Sequence, residues 1–374
     1  MKLLSICDPT RYGSPPLDVP TFYQRLSQDE SVSFYHLPSP RVTSTAISEV
    51  LSEGGREMPS KDSFESLPIE HPYIPAISVA GALTYPDFLS IGNEPARPIA
   101  LADVDLVFCR TLKPFPPSYL SRLTEWEKYT RFVNSPTGKQ TQMRAEFLLE
   151  TAEGYIPDAI ATDKYDQAIA FFEQHKTIVA KQSNSCGGRG VFKIWYQAGV
   201  FYVDNVLSGT HRFPTFAHVM SFLQQGQIEP LQFCRYLHRT DEGDKRVVVV
   251  DGEIYGSYLR RSKSGHWVNN VSRDGECTLA EITEDEIAAI RHTVGRYQAL
   301  GLHTLGYDFL MDDEGTWRIS EINAGNIGGF ARLELLTGEP VMKRLTDWLK
   351  AFSQRPLLTT AAPQRNCQDN LQFA

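Results

Sequence analysis

The segment spanning residues 306–323 constrains the fold of this chain more than any other part of the sequence. It reads as a strand, an acidic turn at residues 312–315 and a returning strand, which is the pattern of a β-hairpin. Pairing of the strands brings Asp308 close to Glu321 and Asn323, and the last two share a face because they lie two residues apart. Two carboxylates and an amide oxygen on one patch suit Mg²⁺, which binds carboxylates together with substrate phosphates. The alternative is a hairpin whose acidic residues simply face solvent.

A second segment, residues 178–196, places a lysine beside a glycine-rich loop. An apolar strand carries Lys181 near its end, and a second strand begins at Val191. Glycine lets backbone N–H groups approach phosphate oxygens closely, and a strand-borne lysine adds a point charge. Strands on both sides argue against the dinucleotide fingerprint and the Walker A loop, which both lead from a strand into a helix. The pattern predicts a lid over nucleotide phosphates, with an ordinary hairpin turn as the alternative. The glycines of this loop are Gly187, Gly188 and Gly190.

The third segment, residues 243–261, reads as a hairpin whose first strand contains four consecutive valines and whose turn is Asp-Gly. Arg246 lies near the start of the first strand and Arg261 ends the second, so antiparallel pairing brings both cations to the same end. Two adjacent arginines repel each other unless an anion lies between them. This hairpin therefore predicts an anion site.

In this order and at these intervals, the three segments resemble the ATP-grasp superfamily, and within it the bacterial glutathione synthetase branch. The resemblance covers roughly residues 1–345, including a weaker match at residues 6–9 and a clearer one at residues 101–115. It implies an α/β and α+β protein with the ATP-grasp fold. The predicted units are an N-terminal open α/β pre-ATP-grasp domain (1–134), a small lid domain (135–235), a C-terminal catalytic domain (236–352) and a polar tail (353–374).

The resemblance also implies a role for individual residues. Those expected to bind the nucleotide are Arg144, Lys181, Gly187, Gly188, Gly190, Cys234, Tyr236, Leu237 and Asp244, with the 234–237 hinge at the adenine and Asp244 at the ribose hydroxyls. Arg246, Arg261 and Asn270 are expected to act on the acyl phosphate and its carboxylate precursor. Asp308, Glu321 and Asn323 are expected to hold magnesium.

Three departures from the family pattern affect these expectations. Arg144 stands where the family has its first nucleotide lysine, and nearby Lys139 is the alternative. Glutathione synthetases continue after the metal-binding Asn with a Ser-Pro-Thr stretch, whereas residues 324–329 read Ala-Gly-Asn-Ile-Gly-Gly. Their Asn-Leu-Ala-Ala-Gly-Gly loop is also altered, at residues 270–275. The last two changes fall on the acceptor side, so the class of enzyme is better defined than the substrate.

The predicted function is ATP-dependent carboxylate–amine ligation through an acyl phosphate, with release of ADP and phosphate. The expected cofactors are ATP and Mg²⁺, two ions with Mn²⁺ as an alternative metal, and the expected partners are a small carboxylate and a small amine. Authentic glutathione synthetase, joining glycine to γ-glutamylcysteine, is the alternative within the class. A non-catalytic ATP-binding interaction protein is the alternative from another class.

Composition and charge limit the class of protein and its cellular location. A net charge of −8 and a pI near 5.7 disfavour a nucleic-acid-binding protein, which normally has a basic face. No stretch approaches the ~20 apolar residues of a membrane span, and the short apolar run at the N-terminus reads as a core strand. The six cysteines form no Cys-x-x-Cys pair, which favours reduced thiols and a cytoplasmic location. Self-association into a homo-oligomer is left open.

Overall fold

The computed structural model describes residues 1–15, 17–39, 73–224, 229–263, 265–269 and 276–356. The N-terminal part contains β1 (Lys2–Cys7), α1 (Asp18–Leu26), β2 (Ser33–Pro38), β3 (Tyr73–Val79), α2 (Tyr85–Ser90), β4 (Arg97–Ala100), β5 (Leu106–Cys109), α3 (Pro117–Trp126) and β6 (Phe132–Val133). Its sheet has the order β4-β3-β2-β1-β5-β6, with β2, β1, β5 and β6 parallel. β1 is buried from its second residue onward, as expected for a parallel strand covered on both faces. The carboxyl ends of β1 and β5 therefore meet at one edge of the sheet.

Two short helices, α4 (Pro136–Gln142) and α5 (Phe147–Thr151), lead into a second sheet. Its elements are β7 (Ala159–Thr162), α6 (Tyr165–His175), β8 (Thr177–Lys181), β9 (Val191–Gln197), β10 (Val200–Asn205), β11 (Gly209–Phe213), α7 (Phe216–Gln224) and β12 (Leu231–Arg235), in the strand order β11-β10-β9-β8-β12-β7. α6 and α7 cover one face, where Ile178 and Ala180 of β8 are buried. Because side chains alternate along a strand, Val179 and Lys181 point to the other face. Lys181 thus lies on the side of the sheet that these helices leave uncovered.

The third sheet is entirely antiparallel, with the order β15-β14-β13-β16-β17. Its elements are β13 (Asp244–Val250), β14 (Glu253–Arg261), β15 (Glu276–Leu279), α8 (Glu284–Ala299), β16 (Thr304–Met311), β17 (Trp317–Asn323), α9 (Phe330–Thr337) and α10 (Val341–Ser353). α8 begins at a capping box formed by Thr283 and Glu286. The buried Glu286 carboxylate also accepts a hydrogen bond from Lys245 at 2.8 Å, which joins the helix to β13.

The four valines of β13 explain why this sheet is buried on both faces. Val247 and Val249 lie in a core with α8, whereas Val248 and Val250 lie in a core with α1, α9 and α10. The second of these cores also contains residues of the N-terminal sheet, so the first and third sheets share apolar packing. This shared core includes Cys7, at the end of β1, and Ile327, shortly after β17, so it holds this edge of the N-terminal sheet near the segment that follows β17.

The predicted combination of an open α/β sheet with mixed α+β units is confirmed. The domain boundaries stay a prediction. Phe147 of α5 packs in the core beneath α8, although its number falls within the predicted lid. The predicted tail lies outside the described residues from residue 357 onward. Among the helices that the structure describes, none is both long enough and apolar enough to cross a membrane.

Candidate active site

The β16–β17 hairpin brings Asp308, Glu321 and Asn323 together. Asp308 is directly opposite Glu321, and Asn323 is opposite Gly306. The register shifts between Asp308 and Phe309, so Ser320 is an extra residue on β17. Asn323 donates from Nδ2 to Asp308 Oδ2 at 2.9 Å, which leaves Oδ1 of Asn323 as the amide atom able to bind a cation.

Asp308 also lies at the centre of a buried charge network. Asp308 is 2% exposed. Arg246 donates from Nε to Oδ1 of Asp308 and from Nη2 to Oδ2, the second bond at 2.9 Å. Arg260 donates from Nη2 to Asp308 Oδ1 at 2.8 Å and to Asp244 Oδ2 at 2.6 Å. Burial alone would raise the pKa of Asp308, but Arg246 and Arg260 bring that pKa below its ordinary value. Two arginines and two aspartates therefore compensate each other in a region with little solvent.

Arg261, which the sequence analysis paired with Arg246, lies outside this network. Its side chain is exposed and donates from Nε to the carbonyl oxygen of Glu242 at 3.1 Å. The cause is a β-bulge between Val248 and Val249, which shifts the register of β13 against β14. A regular hairpin would place Arg261 on the face of Arg246; the bulge places Arg260 there instead. The predicted anion-binding pair of Arg246 and Arg261 is thus not brought together by the structure.

Asp244, expected at the ribose, is 6% exposed and bonded to Arg260 through one oxygen. Its other oxygen, Oδ1, is buried without a hydrogen-bond partner. Burial raises the pKa of Asp244 to about 6, against the opposing effect of Arg260. An orphaned carboxylate oxygen is costly in a protein interior and marks a position where a ligand hydroxyl would be stabilised.

The two candidates for the first nucleotide lysine lie in different places. Arg144 is exposed and forms ion pairs with Glu146 and Glu150 at 3.9 and 3.2 Å. Lys139 is 6% exposed on the buried face of α4, where burial lowers its pKa well below the ordinary value and Glu321 acts in the opposite direction. A Cβ at Gly325, two residues after Asn323, would lie 3.5 Å from Lys139 Nζ, so the structure places Lys139 near the end of β17 and Arg144 on the surface.

Lys181 joins the second sheet to the third. Its ammonium donates to the carbonyl oxygen of Ser320, the extra residue of β17, at 2.6 Å. In the loop that follows, Gly187 and Gly188 have φ of +65° and +78°, which other residues rarely adopt. Asn205, a residue that the sequence did not single out, donates from Nδ2 to the carbonyl oxygens of Gly188, Arg189 and Val191. A Cβ at Gly190 would lie 2.5 Å from Ser185, so this glycine is needed for space.

The predicted adenine hinge follows β12. Cys234, Tyr236 and Leu237 are buried, and Tyr236 N–H donates to the carbonyl oxygen of Thr177 at 3.2 Å. Val179 and Trp267 pack with Cys234 and Tyr236 in a small apolar cluster on the open face of the second sheet. Trp267 was also missed by the sequence reasoning, because no pattern of spacing relates it to β12. Asn270 lies outside the described residues.

Comparison with known proteins decides the family. The model of the prokaryotic glutathione synthetase ATP-grasp domain matches residues 147–338, which is more than half of the chain. The chain belongs to this family. Curated relatives include the glutathione synthetase of Rhodopseudomonas palustris, 27% identical over 71% of this chain and 78% of the relative, and that of Escherichia coli O157:H7, 26% identical over 72% and 80%.

Solved structures agree on the fold. D-cycloserine synthetase DcsG superposes with a TM-score of 0.57 at 10% identity, covering 94% of this chain and 99% of that one. A RiPP-associated ATP-grasp ligase from Chryseobacterium gregarium, in complex with ADP and a leader and core peptide, gives a TM-score of 0.54 at 15% identity, covering 94% and 97%. Together with the family match, these findings confirm the predicted ATP-grasp fold and the predicted activity. The protein is an ATP-dependent carboxylate–amine ligase, an enzyme that forms carbon–nitrogen bonds, and ligases of this superfamily use ATP and typically Mg²⁺.

Proposed function

We propose that this enzyme activates a small carboxylate as an acyl phosphate in the cleft between the second and third sheets. The observation that carries this proposal is the hydrogen bond from Lys181 to Ser320, which brings the foot of the glycine loop to the strand that bears Glu321 and Asn323. A phosphate held by Lys181 and by the loop N–H groups lies next to the carboxylates in this arrangement. Phosphoryl transfer depends mainly on positioning and on neutralising charge, and these groups supply both.

The nucleotide is assigned to residues on both sides of this cleft. Lys139, Lys181 and the loop glycines would bind its phosphates, and the 234–237 hinge with Val179 would bind its adenine. The unpartnered Oδ1 of Asp244 supports the ribose assignment. Lys139 takes the place that the family pattern gave to Arg144, because Lys139 alone of the two is buried near Glu321.

Glu321 and Asn323 fit Mg²⁺ by their chemistry, because a carboxylate and an amide oxygen on one strand are hard donors. Asp308 would join them by exchanging one of its hydrogen bonds to Arg246 or Arg260 for the ion. Bound Mg²⁺ would neutralise charge on the phosphate oxygens. We propose two ions, with Mn²⁺ able to substitute. Arg246 and Arg260 share the oxygens of Asp308, so these arginines would lie beside the phosphoryl group and face the acyl phosphate.

The chemistry has two balanced steps. An oxygen of the substrate carboxylate bonds to the γ-phosphorus while the bond from that phosphorus to the β–γ bridging oxygen breaks, and ADP leaves with the electron pair. The amine nitrogen then bonds to the acyl carbon, phosphate leaves with the electrons of the carbon–oxygen bond, and a proton of the amine passes to solvent. The arginines stabilise the oxyanion that forms between these events.

The acceptor side supports a substrate other than γ-glutamylcysteine. The loop at residues 324–329 bonds to the N-terminal domain: Arg110 Nη2 donates to the carbonyl oxygen of Ile327 at 2.6 Å, and Asn326 Nδ2 donates to the carbonyl oxygen of Arg110 at 2.8 Å. The N–H groups of Gly329 and Ala331 donate to Asp18. The carbonyl oxygen of Ile327, the side-chain amide of Asn326 and the N–H group of Gly329 are thus already bonded within the protein. A site without donors for a peptide substrate binds that peptide poorly.

Authentic glutathione synthesis is the second candidate, favoured by the names of the curated relatives. A screen of purified enzyme with ATP and Mg²⁺ over carboxylate and amine pairs would separate the two. We expect ADP release that requires both a carboxylate and an amine, with glycine and γ-glutamylcysteine a poor pair. Glutathione formation at rates of about 1–10³ per second would make the second candidate correct.

We also propose a cellular location for the enzyme. The absence of paired cysteine motifs supports a cytoplasmic location with reduced thiols. Light scattering on the purified protein would measure whether it self-associates into a homo-oligomer.

A further inference from the structure

The glycine loop lies against a segment of the N-terminal domain that follows β5. Asn184 of the loop accepts from Phe115 N–H at 2.8 Å and donates to Phe115 carbonyl oxygen at 2.9 Å. Cys186 Sγ donates to the carbonyl oxygen of Lys113 at 3.0 Å. A side-chain amide that bonds both backbone groups of one residue acts like a neighbouring strand. Residues 113–115 therefore hold the loop in a defined position over the cleft.

The ammonium of Lys113 points to the start of the same loop. It donates to the carbonyl oxygen of Ser183 at 2.6 Å. An ammonium has three N–H donors, so this bond leaves two for another acceptor. Burial lowers the pKa of Lys113, and the Glu321 carboxylate opposes that change, which places Lys113 in the electrostatic surroundings of the predicted metal residues.

Lysines from three separate elements thus lie near the end of β17: Lys113 and Lys139 interact electrostatically with Glu321, and Lys181 bonds the neighbouring Ser320. Lys113 follows β5, Lys139 belongs to α4 and Lys181 ends β8. Their hydrogen bonds in the described structure go to Ser183, Gln142 and Ser320 and not to Glu321. These lysines outnumber the Glu321 carboxylate in a partly buried space, so an anion bound between them would stabilise their charged forms.

We propose that Lys113 is a further catalytic residue of this ligase, and that its ammonium binds the terminal phosphate of ATP while that phosphate is transferred. The proposal rests on the proposed function, because its ligand is the nucleotide assigned to the glycine loop. Lys113 forms and breaks no covalent bond; it neutralises charge on the phosphate oxygens. The N-terminal domain then supplies one of the phosphate-binding cations, and the terminal phosphate links that domain to the closed loop.

The test compares the affinities of purified variants for the non-hydrolysable analogue AMPPNP and for ADP, with Mg²⁺, by calorimetry. We expect Lys113→Met to weaken AMPPNP binding by roughly tenfold or more and to leave ADP binding within about threefold, because ADP lacks the terminal phosphate. Lys113→Arg should recover part of the loss. Lys128→Met is the matched control, because Lys128 is an exposed lysine with 63% of its side chain accessible.

Asn184→Ala removes the loop contact without changing charge, so it should weaken the two nucleotides equally. An equal loss of AMPPNP and ADP in Lys113→Met would make Lys113 a structural latch and overturn the proposal. Unchanged binding of both nucleotides would also overturn it. Lys181→Met separates this failure from failure of the nucleotide site: if Lys181→Met weakens both nucleotides while Lys113→Met weakens neither, only the role of Lys113 is refuted. If Lys113→Met does not fold, as judged by circular dichroism, Lys113→Gln provides the same comparison.

Discussion

Replacing Arg260 with alanine tests the charge network at the centre of the site. Arg260 is 11% exposed and bonds both Asp244 and Asp308. Its removal leaves two buried carboxylates with Arg246 as their remaining partner in the network, which takes the group from neutral to a net negative charge. Removing one partner from a buried ion pair costs about 3–5 kcal/mol of unfolding free energy. We expect a loss of that size at about pH 8.

The loss should depend on pH, with a sign that follows from Asp244. Burial raises the pKa of Asp244 to about 6 and Arg260 opposes that rise, so the substitution should move this pKa higher still. A carboxyl whose pKa is raised by folding contributes stability at low pH that is lost as the pH rises through the folded-state pKa. At about pH 5 Asp244 carries a proton in both proteins, so the loss caused by Arg260→Ala should be smaller there than at about pH 8.

Urea unfolding followed by tryptophan fluorescence at both pH values measures these quantities, and Arg261→Ala is the matched control. Arg261 is exposed, so its loss should change the unfolding free energy by no more than about 0.5 kcal/mol. Arg260→Ala should also abolish ligation, whereas Arg261→Ala should retain it. Equal effects of the two substitutions, or a loss in Arg260→Ala that does not vary with pH, would refute this reasoning.

Three further substitutions test other parts of the site. Glu321→Gln removes a charge from the metal residues and should lower turnover by roughly 10²-fold or more with little change in thermal stability; near-normal turnover would contradict the metal assignment. Gly188→Val forces a side chain onto a residue with φ of +78° and within 2.9 Å of a neighbouring valine, so ATP should no longer protect the loop from proteolysis, whereas Gly92→Val, at an open position, should leave that protection intact. In steady-state kinetics, Lys139→Met should raise the KM for ATP by roughly tenfold and Arg144→Met should leave it unchanged. The opposite pattern would show that Arg144, the residue selected by the family spacing, binds the nucleotide.

The parts of the fold that follow from local pattern were accessible to sequence reasoning. Strand and turn residues gave the β16–β17 hairpin, and four consecutive valines followed by an Asp-Gly turn gave the β13–β14 hairpin. The class of enzyme followed from the resemblance of these segments, in their order and intervals, to the ATP-grasp superfamily. Such features depend on residues close together in the chain, so their periodicity is visible without a structure.

The errors of position came from features that spacing does not reveal. The bulge at Val248 shifts β13 by one residue against β14, so counting from the turn selects Arg261 in place of Arg260. Gly256, with φ of +149° in the strand opposite, is the one visible signal of this irregularity. Lys113 follows β5 of the N-terminal sheet and bonds Ser183 of the glycine loop through tertiary packing, which no local pattern predicts.

Transfer of isotope from the carboxylate to phosphate tests the central claim most directly. The most active pair found in the substrate screen would be supplied with ¹⁸O in the carboxylate, and the nucleotide and phosphate products would be analysed by mass spectrometry. An acyl-phosphate ligase predicts ADP as the nucleotide product and one labelled oxygen in inorganic phosphate for each amide bond formed. Label in AMP, or ADP released with unlabelled phosphate, would contradict the account.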